Sequence, residues 1–210
     1  MRLTSTSFAN NKKIPVQFAF CAPDPKTRVT LSKNLNPHLA WQDLPTNARS
    51  LALICHDPDV PSKPDDVNQE DRVIPATLPR VNFYHWVLVD IPAATIQIKE
   101  GEYSSGITAR GKPGPESHGD TRQGLNDYTA WFASDQAMSG KYFGYDGPCP
   151  PWNDEIPHHY VFTLYALDIG RCPVGGAFKA QEVLAAIKGH VLAKAELTGV
   201  YALNPKVKIK

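Results

Sequence analysis

The sequence predicts a mainly β fold, a sandwich of short antiparallel strands in a single domain spanning residues 1–210. Three observations support it. The 19 prolines and 14 glycines are spread between short apolar runs, which suits strands joined by many turns better than a helical bundle. Apolar alternation rich in β-branched residues recurs at residues 16–20, 50–56, 83–90, 160–167 and 200–203. A chain of 210 residues with 42% hydrophobic composition is long enough to bury a core and short enough for one domain.

Turn chemistry bounds these runs. Asn36-Pro37 and Leu44-Pro45 bracket His38 to Trp41, Asp57-Pro58 ends the second run and Ile91-Pro92 the third, since each proline pushes its predecessor toward an extended shape. Residues 180–197 read as a helix, because Val183, Leu184, Ile187, Val191, Leu192 and Ala195 share a stripe that Lys188, Lys194 and Glu196 avoid. Residues 100–146 are rich in Gly, Pro, Ser and Asp, and read as a binding loop or partner surface around a short element.

A formal charge of +1, from 22 basic and 21 acidic residues with no long run of one sign, excludes an electrostatic footprint for nucleic acid or an anionic membrane surface. The one basic cluster, Lys206, Lys208 and Lys210, alternates with Val207 and Ile209 as an edge strand or frayed end would. Residues 1–20 lack the apolar stretch of a secretory signal, and no run approaches about 18 apolar residues, so a soluble, cytoplasmic protein without a transmembrane segment is expected. Cys21, Cys55, Cys149 and Cys172 form no CxxC. Reduced thiols are the expectation, with a disulfide left open by the even number.

Three segments could carry chemistry. In the first, an apolar strand runs into Asp57-Pro58-Asp59-Val60-Pro61; strand alternation puts Cys55 and Asp57 on one face and His56 on the other, so the adjacent Cys, His and Asp cannot converge as a nucleophilic triad. Prolines 58 and 61 hold the two carboxylates in a stiff turn, where they serve either a site or Asx-type capping. In the second, alternation groups His85 with Val87 and Val89, opposite Tyr84, Trp86 and Leu88, and makes His85 a buried histidine that needs a partner. In the third, Gly147-Pro148-Cys149-Pro150-Pro151 precedes a strand in which His158 and Tyr160 face together and His159 faces away, a plausible wall of a small pocket or a plain strand connection.

Taken in order, the DPDVP turn, the HWVLV strand and GPCPP followed by HHYVFTLYAL resemble the signature regions of the phosphatidylethanolamine-binding proteins, also called Raf kinase inhibitor-like proteins. Gly111-Lys112-Pro113-Gly114-Pro115 and Gln123-Gly124-Leu125-Asn126-Asp127-Tyr128 are similar to the bacterial-type branch of that family. The resemblance implies a large antiparallel sheet packed on a smaller one with peripheral helices, and an anion pocket at one end of the sheet. It places the pocket carboxylate at Asp57, histidines at His85 and His158, the phenol at Tyr160, the turn at Asp59 and Pro61, and a rim containing Gly147, Pro148 and Pro150. Mammalian-type members add a C-terminal helix with an aromatic over the pocket, which has no counterpart here.

The implied ligand is a phosphate-bearing small molecule or phospholipid head group. Two imidazoles, a phenol and backbone N–H groups would donate to it, and imidazole, with an ordinary pKa of about 6.5, charges readily beside an anion. Asp57 would repel that anion, so it has to be paired or protonated in the complex. No GxSxG, HExxH or glycine-rich phosphate loop is present, so neither an enzyme nor a cofactor is expected. The rival is a divalent metal site or hydrolase built on Asp57, Asp59, His85 and His158. A kinase or protease is the implied protein partner, met through residues 100–146 and aromatics such as Tyr128, Trp131, Phe132, Tyr142 and Phe143, which serve equally well as core or dimer contacts, and the bacterial-type resemblance implies a homodimer.

Overall fold

A computed structural model describes residues 1–209; Lys210 of the basic tail lies outside the described residues. In chain order the strands are β1 (Arg2–Thr4), β2 (Lys12–Lys13), β3 (Cys21–Asp24), β4 (Arg28–Leu31), β5 (Leu39–Gln42), β6 (Ser50–Pro61), β7 (Arg80–Pro92), β8 (Gln97–Ile98), β9 (Gly111–Lys112), β10 (Arg122–Gln123), β11 (Lys141–Tyr142), β12 (His158–Leu167) and β13 (Val191–Tyr201). The α-helices are α1 (Tyr128–Trp131) and α2 (Ala180–Ala186). A six-stranded sheet runs β10-β7-β6-β12-β13-β2, antiparallel except where β2 lies parallel to β13, and a three-stranded sheet runs β1-β5-β8.

The long central strands are buried on both faces, which is why their sequences are almost continuously apolar. Leu51, Leu53, Trp86, Leu88, Phe162 and Leu164 meet Leu3, Leu39, Trp41 and Ile98 of the small sheet in one core cluster. On the other face Ala52, Ile54, Val87 and Val89 meet Phe178, Val183 and Ile187 around α2. Each fully buried aliphatic or aromatic side chain of this kind contributes about 1.5–3 kcal/mol. No helix among the described residues is long and apolar enough to cross a membrane.

Several elements differ from the sequence expectation. Residues 16–20 do not form a strand: Pro15 opens a 3-10 turn over Val16–Phe18, closed by Phe18 N–H to the Pro15 carbonyl at 3.0 Å, and pairing begins only at Cys21. The helix expected over residues 180–197 stops at Ala186, Gly189 at φ +90° turns the chain, and residues 191–201 pair along β12 from Leu167↔Val191 to His158↔Tyr201. Val191 and Ala195 satisfy both the helical and the two-residue period, and the open edge of β12 decides between them. The strands at 50–56 and 83–90 extend to Pro61 and from Arg80 to Pro92. Up to Ile209, the last described residue, the tail forms no strand, and Val207 N–H closes a turn on Asn204.

Residues 100–146 are built into the molecule. Tyr128, Tyr142, Phe143 and Tyr145 are buried, and of the aromatics expected at a partner surface only Trp131 is largely exposed. Among the described residues, no strand pairs with the outer side of residues 191–197; β2 reaches β13 only at Gly199 and Val200, and a Lys194–Glu196 ion pair of 3.2 Å sits on the open stretch.

Candidate functional site

At the end of the large sheet where β6, β7 and β12 meet the segment around Cys149, a cavity of about 550 Å³ opens. Asp57, His85, Tyr128, His158 and Tyr160 form its polar part, and apolar side chains including Phe20, Leu31, Val60, Phe83, Trp131 and Met138 surround them. The strands deliver the polar residues by different means. On β12, simple alternation turns His158 and Tyr160 inward and sends His159 out to Asp59, whose carboxylate accepts from the His159 backbone N–H and Nδ1, both at 2.8 Å. On β7, the register against β6 jumps from Cys55↔Trp86 to His56↔Tyr84, so His85 is an extra, bulged residue. The bulge turns His85 to the side of Trp86 and Leu88, against Phe83, Tyr128 and Tyr160, and away from the Val87 and Val89 with which strict alternation had grouped it.

His158 is fully buried between two carboxylates. Its Nδ1–H donates to Asp57 Oδ2 at 2.7 Å and its Nε2–H to Asp154 Oδ2 at 3.2 Å, so both ring nitrogens carry protons and the ring is an imidazolium. Burial alone would push the ring down, but the charge of Asp57 and the hydrogen bond to Asp154 outweigh it and raise the pKa to about 9. Asp154 is also gripped by Arg80, with Nη1 to Oδ2 at 2.5 Å and Nη2 to Oδ1 at 3.0 Å. Burial would raise its pKa, and the hydrogen bonds from His158 and Arg80 hold it below the usual carboxylate value. Asp57 completes the row, its Oδ1 accepting the Asp59 backbone N–H at 2.8 Å.

His85 is held separately. Its Nδ1–H donates to the Asp146 carbonyl at 2.7 Å, and Asp146 N–H returns to the His85 carbonyl at 3.0 Å. Burial drives this ring below its ordinary pKa against the pull of Asp57, so it is neutral at pH 7. The Asp146 carboxylate is itself enclosed by Asn34 and Asn126, both at 2.7 Å, and by Lys112 at 3.0 Å. Tyr160 Oη is the one buried side-chain polar atom among the described residues without a hydrogen-bond partner. Burial, and then Asp57, push its pKa well above 10, so it stays a phenol able to donate.

The proline-rich wall is fixed by a Cys21–Cys149 disulfide, which corrects the expectation of four reduced thiols; Cys55 and Cys172 are free and buried. Gly147 packs so closely that an added Cβ would sit 2.1 Å from the Phe18 carbonyl. Its N–H donates to Asn34 Oδ1 at 2.8 Å, and its carbonyl accepts from Tyr128 Oη at 2.9 Å. The Pro148 carbonyl accepts the N–H groups of Phe20 and Cys21.

A family model described as phosphatidylethanolamine-binding protein matches residues 4–202. The chain belongs to the phosphatidylethanolamine-binding protein family. Among its relatives, a UPF0098 protein of Methanothermobacter thermautotrophicus is 33% identical over 96% of this chain and 98% of that protein. The UPF0098 protein YbhB of Escherichia coli is 29% identical over 96% of this chain and its own full length. A crystal structure of CT736 from Chlamydia trachomatis, described as a putative phosphatidylethanolamine-binding protein homolog, matches with a TM-score of 0.62 at 27% identity, over 95% of each chain.

Of the residues picked from the sequence, the fold of this family member brings Asp57, Pro61, His85, Pro150, His158 and Tyr160 to one cavity, while Asp59, Gly147 and Pro148 stand behind its wall. Two expectations change. His158 has no free N–H to offer a ligand, because both are taken by carboxylates. The metal set also does not assemble: Asp59 turns to His159, and no group of three or more His, Cys, Asp or Glu among the described residues is placed to hold a metal ion. Sequence reading missed Asp154, Arg80, Asp146 and Lys112; the only available hint was Asp154, four residues before His158.

The His158 ring gives this family member a pH signature. A group raised in the folded state stabilises fully below its unfolded pKa of 6.5, and that stability disappears as pH rises through about 9. The free energy of unfolding should therefore fall by about 3 kcal/mol from His158 as pH is raised across that window. Denaturant unfolding at stepped pH measures this, and a flat alkaline limb would mean that the ring is neutral.

Proposed function

We propose that this chain is a non-enzymatic binding protein whose cavity receives a phosphate-type anion, free or as a phospholipid head group, between His85 and Tyr160. The observation that carries the reading is Tyr160 Oη, a buried donor beside Asp57 but with no acceptor in hydrogen-bonding geometry, on the wall of a cavity that His85 also lines. A buried hydroxyl left unsatisfied costs about 1–3 kcal/mol, and an acceptor oxygen from a ligand removes that cost. His158 lines the cavity with no N–H left for a ligand, and acts as a charge that neutralises Asp57 so that an anion can approach.

Titration with inorganic phosphate and with phosphoethanolamine, followed through the His85 ring resonances, tests the reading. Millimolar ligand should shift His85, and Tyr160→Phe should weaken binding about 10- to 100-fold, the range for a hydrogen bond to a charged group. Absence of any perturbation at His85 would remove the anion reading. For a protein partner the cavity mouth offers Leu31, 61% exposed, and Trp131, 47% exposed, whereas Tyr128, Tyr142 and Phe143 are buried.

A further inference from the structure

Among the described residues that line the cavity, none offers an unpaired cation to an anion. Three cationic side chains stand near its floor, and each already faces a carboxylate: His158 between Asp57 and Asp154, Arg80 on Asp154, and Lys112 on Asp146. Asp127 adds a further carboxyl group in the field of His85. The remaining neighbours of that ring, Phe83, Tyr128 and Tyr160, are uncharged.

Hydrogen-bond direction then restricts what His85 can do. A backbone carbonyl only accepts, so the 2.7 Å contact with Asp146 fixes the proton on Nδ1 in either charge state of the ring. Nε2 makes no hydrogen bond to the protein and, in the neutral ring, is a bare lone pair on a residue that lines the cavity. It would repel a phosphate oxygen at hydrogen-bonding distance.

We propose, building on the phosphate-type reading above, that the cavity takes up its anion only together with one proton, transferred from bulk buffer acid to His85 Nε2. The N–H so formed donates to one anionic oxygen while Tyr160 Oη–H donates to another. The imidazolium then lies among Asp57, Asp127, Asp146 and the bound anion, an environment that supports its charge, whereas the empty cavity keeps the ring neutral by burial. The ligand class is narrowed accordingly. A singly charged phosphodiester, which has no titratable proton of its own, obtains its second donor by this route.

Dimethyl phosphate is the decisive probe, because any proton taken up on binding must reside on the protein. Calorimetric titration in two buffers of different ionisation enthalpy should give an uptake close to one proton at pH 7.5–8, where His158 stays protonated. Affinity should fall approaching tenfold per pH unit through that range. In the ¹⁵N spectrum of the wild-type imidazole, Nε2 of His85 should move from the lone-pair to the N–H position on saturation. His85→Gln, whose amide N–H needs no titration, should bind without proton uptake. Binding of dimethyl phosphate with no net proton uptake and a flat pH dependence overturns this inference and leaves the anion reading standing. If neither dimethyl phosphate nor inorganic phosphate binds, both fall.

Discussion

Replacing Asp154 by alanine should lower the free energy of unfolding at pH 7 by about 3–5 kcal/mol, the cost of leaving buried charge without its partner. The size follows from position. Among the described residues, Asp154 is the only carboxylate that touches both His158 and Arg80, and it is almost fully buried. Without it, Arg80 keeps only its bonds to the carbonyls of Asp59, Pro75 and Leu78, and the second N–H of His158 loses its acceptor. The His158 ring then keeps only Asp57 to oppose burial, and its pKa shifts downward. Denaturant unfolding of wild type and D154A at pH 7 gives the magnitude, and ¹⁵N titration of His158 gives the cause. A loss below about 1 kcal/mol would place this residue with ordinary surface ion pairs.

Opening the Cys21–Cys149 bridge should cost about 2–5 kcal/mol, toward the upper end because the bond spans 128 residues and closes a long loop in the unfolded chain. Guanidinium unfolding with and without a dithiol reductant measures the effect. The C21S/C149S variant should match the reduced wild type and no longer respond to reductant, since the free Cys55 and Cys172 are both buried. Equal stability of the two forms would show that Phe20 N–H and Cys21 N–H, both bonded to the Pro148 carbonyl, hold the wall unaided. Such bonds persist in oxidising compartments and open in a reducing cytosol, so in the cytoplasm expected from the sequence the weaker form would prevail.

Where one physical signal acted alone, the sequence was readable. Residues 50–56, 83–90 and 160–167 alternate or run apolar between prolines, and each lies within an observed strand. The same alternation put Asp57 opposite His56 and paired His158 with Tyr160, as the structure has them. Legibility ended where a second factor entered. A one-residue bulge against β6 reversed the face of His85, and no local pattern announces a bulge. At residues 191–197 two periods fitted the same apolar residues, and only the partner strand selected one. Asp154 and Arg80 reach the site from irregular chain and from the start of β7, and their roles exist only through contacts distant in sequence.

The bare margin of β13 bears on how copies of this chain could associate. On the far side of β7, by contrast, β10 and the amides of Gly124, Asp127 and Asp146 take up backbone positions between Tyr84 and Val89. Templated growth of the fibrillar kind on residues 191–197 would meet Lys194 and Glu196, which put charge in the path of an incoming backbone. Pairing of two such margins end to end is thereby discouraged by the strand's own charges.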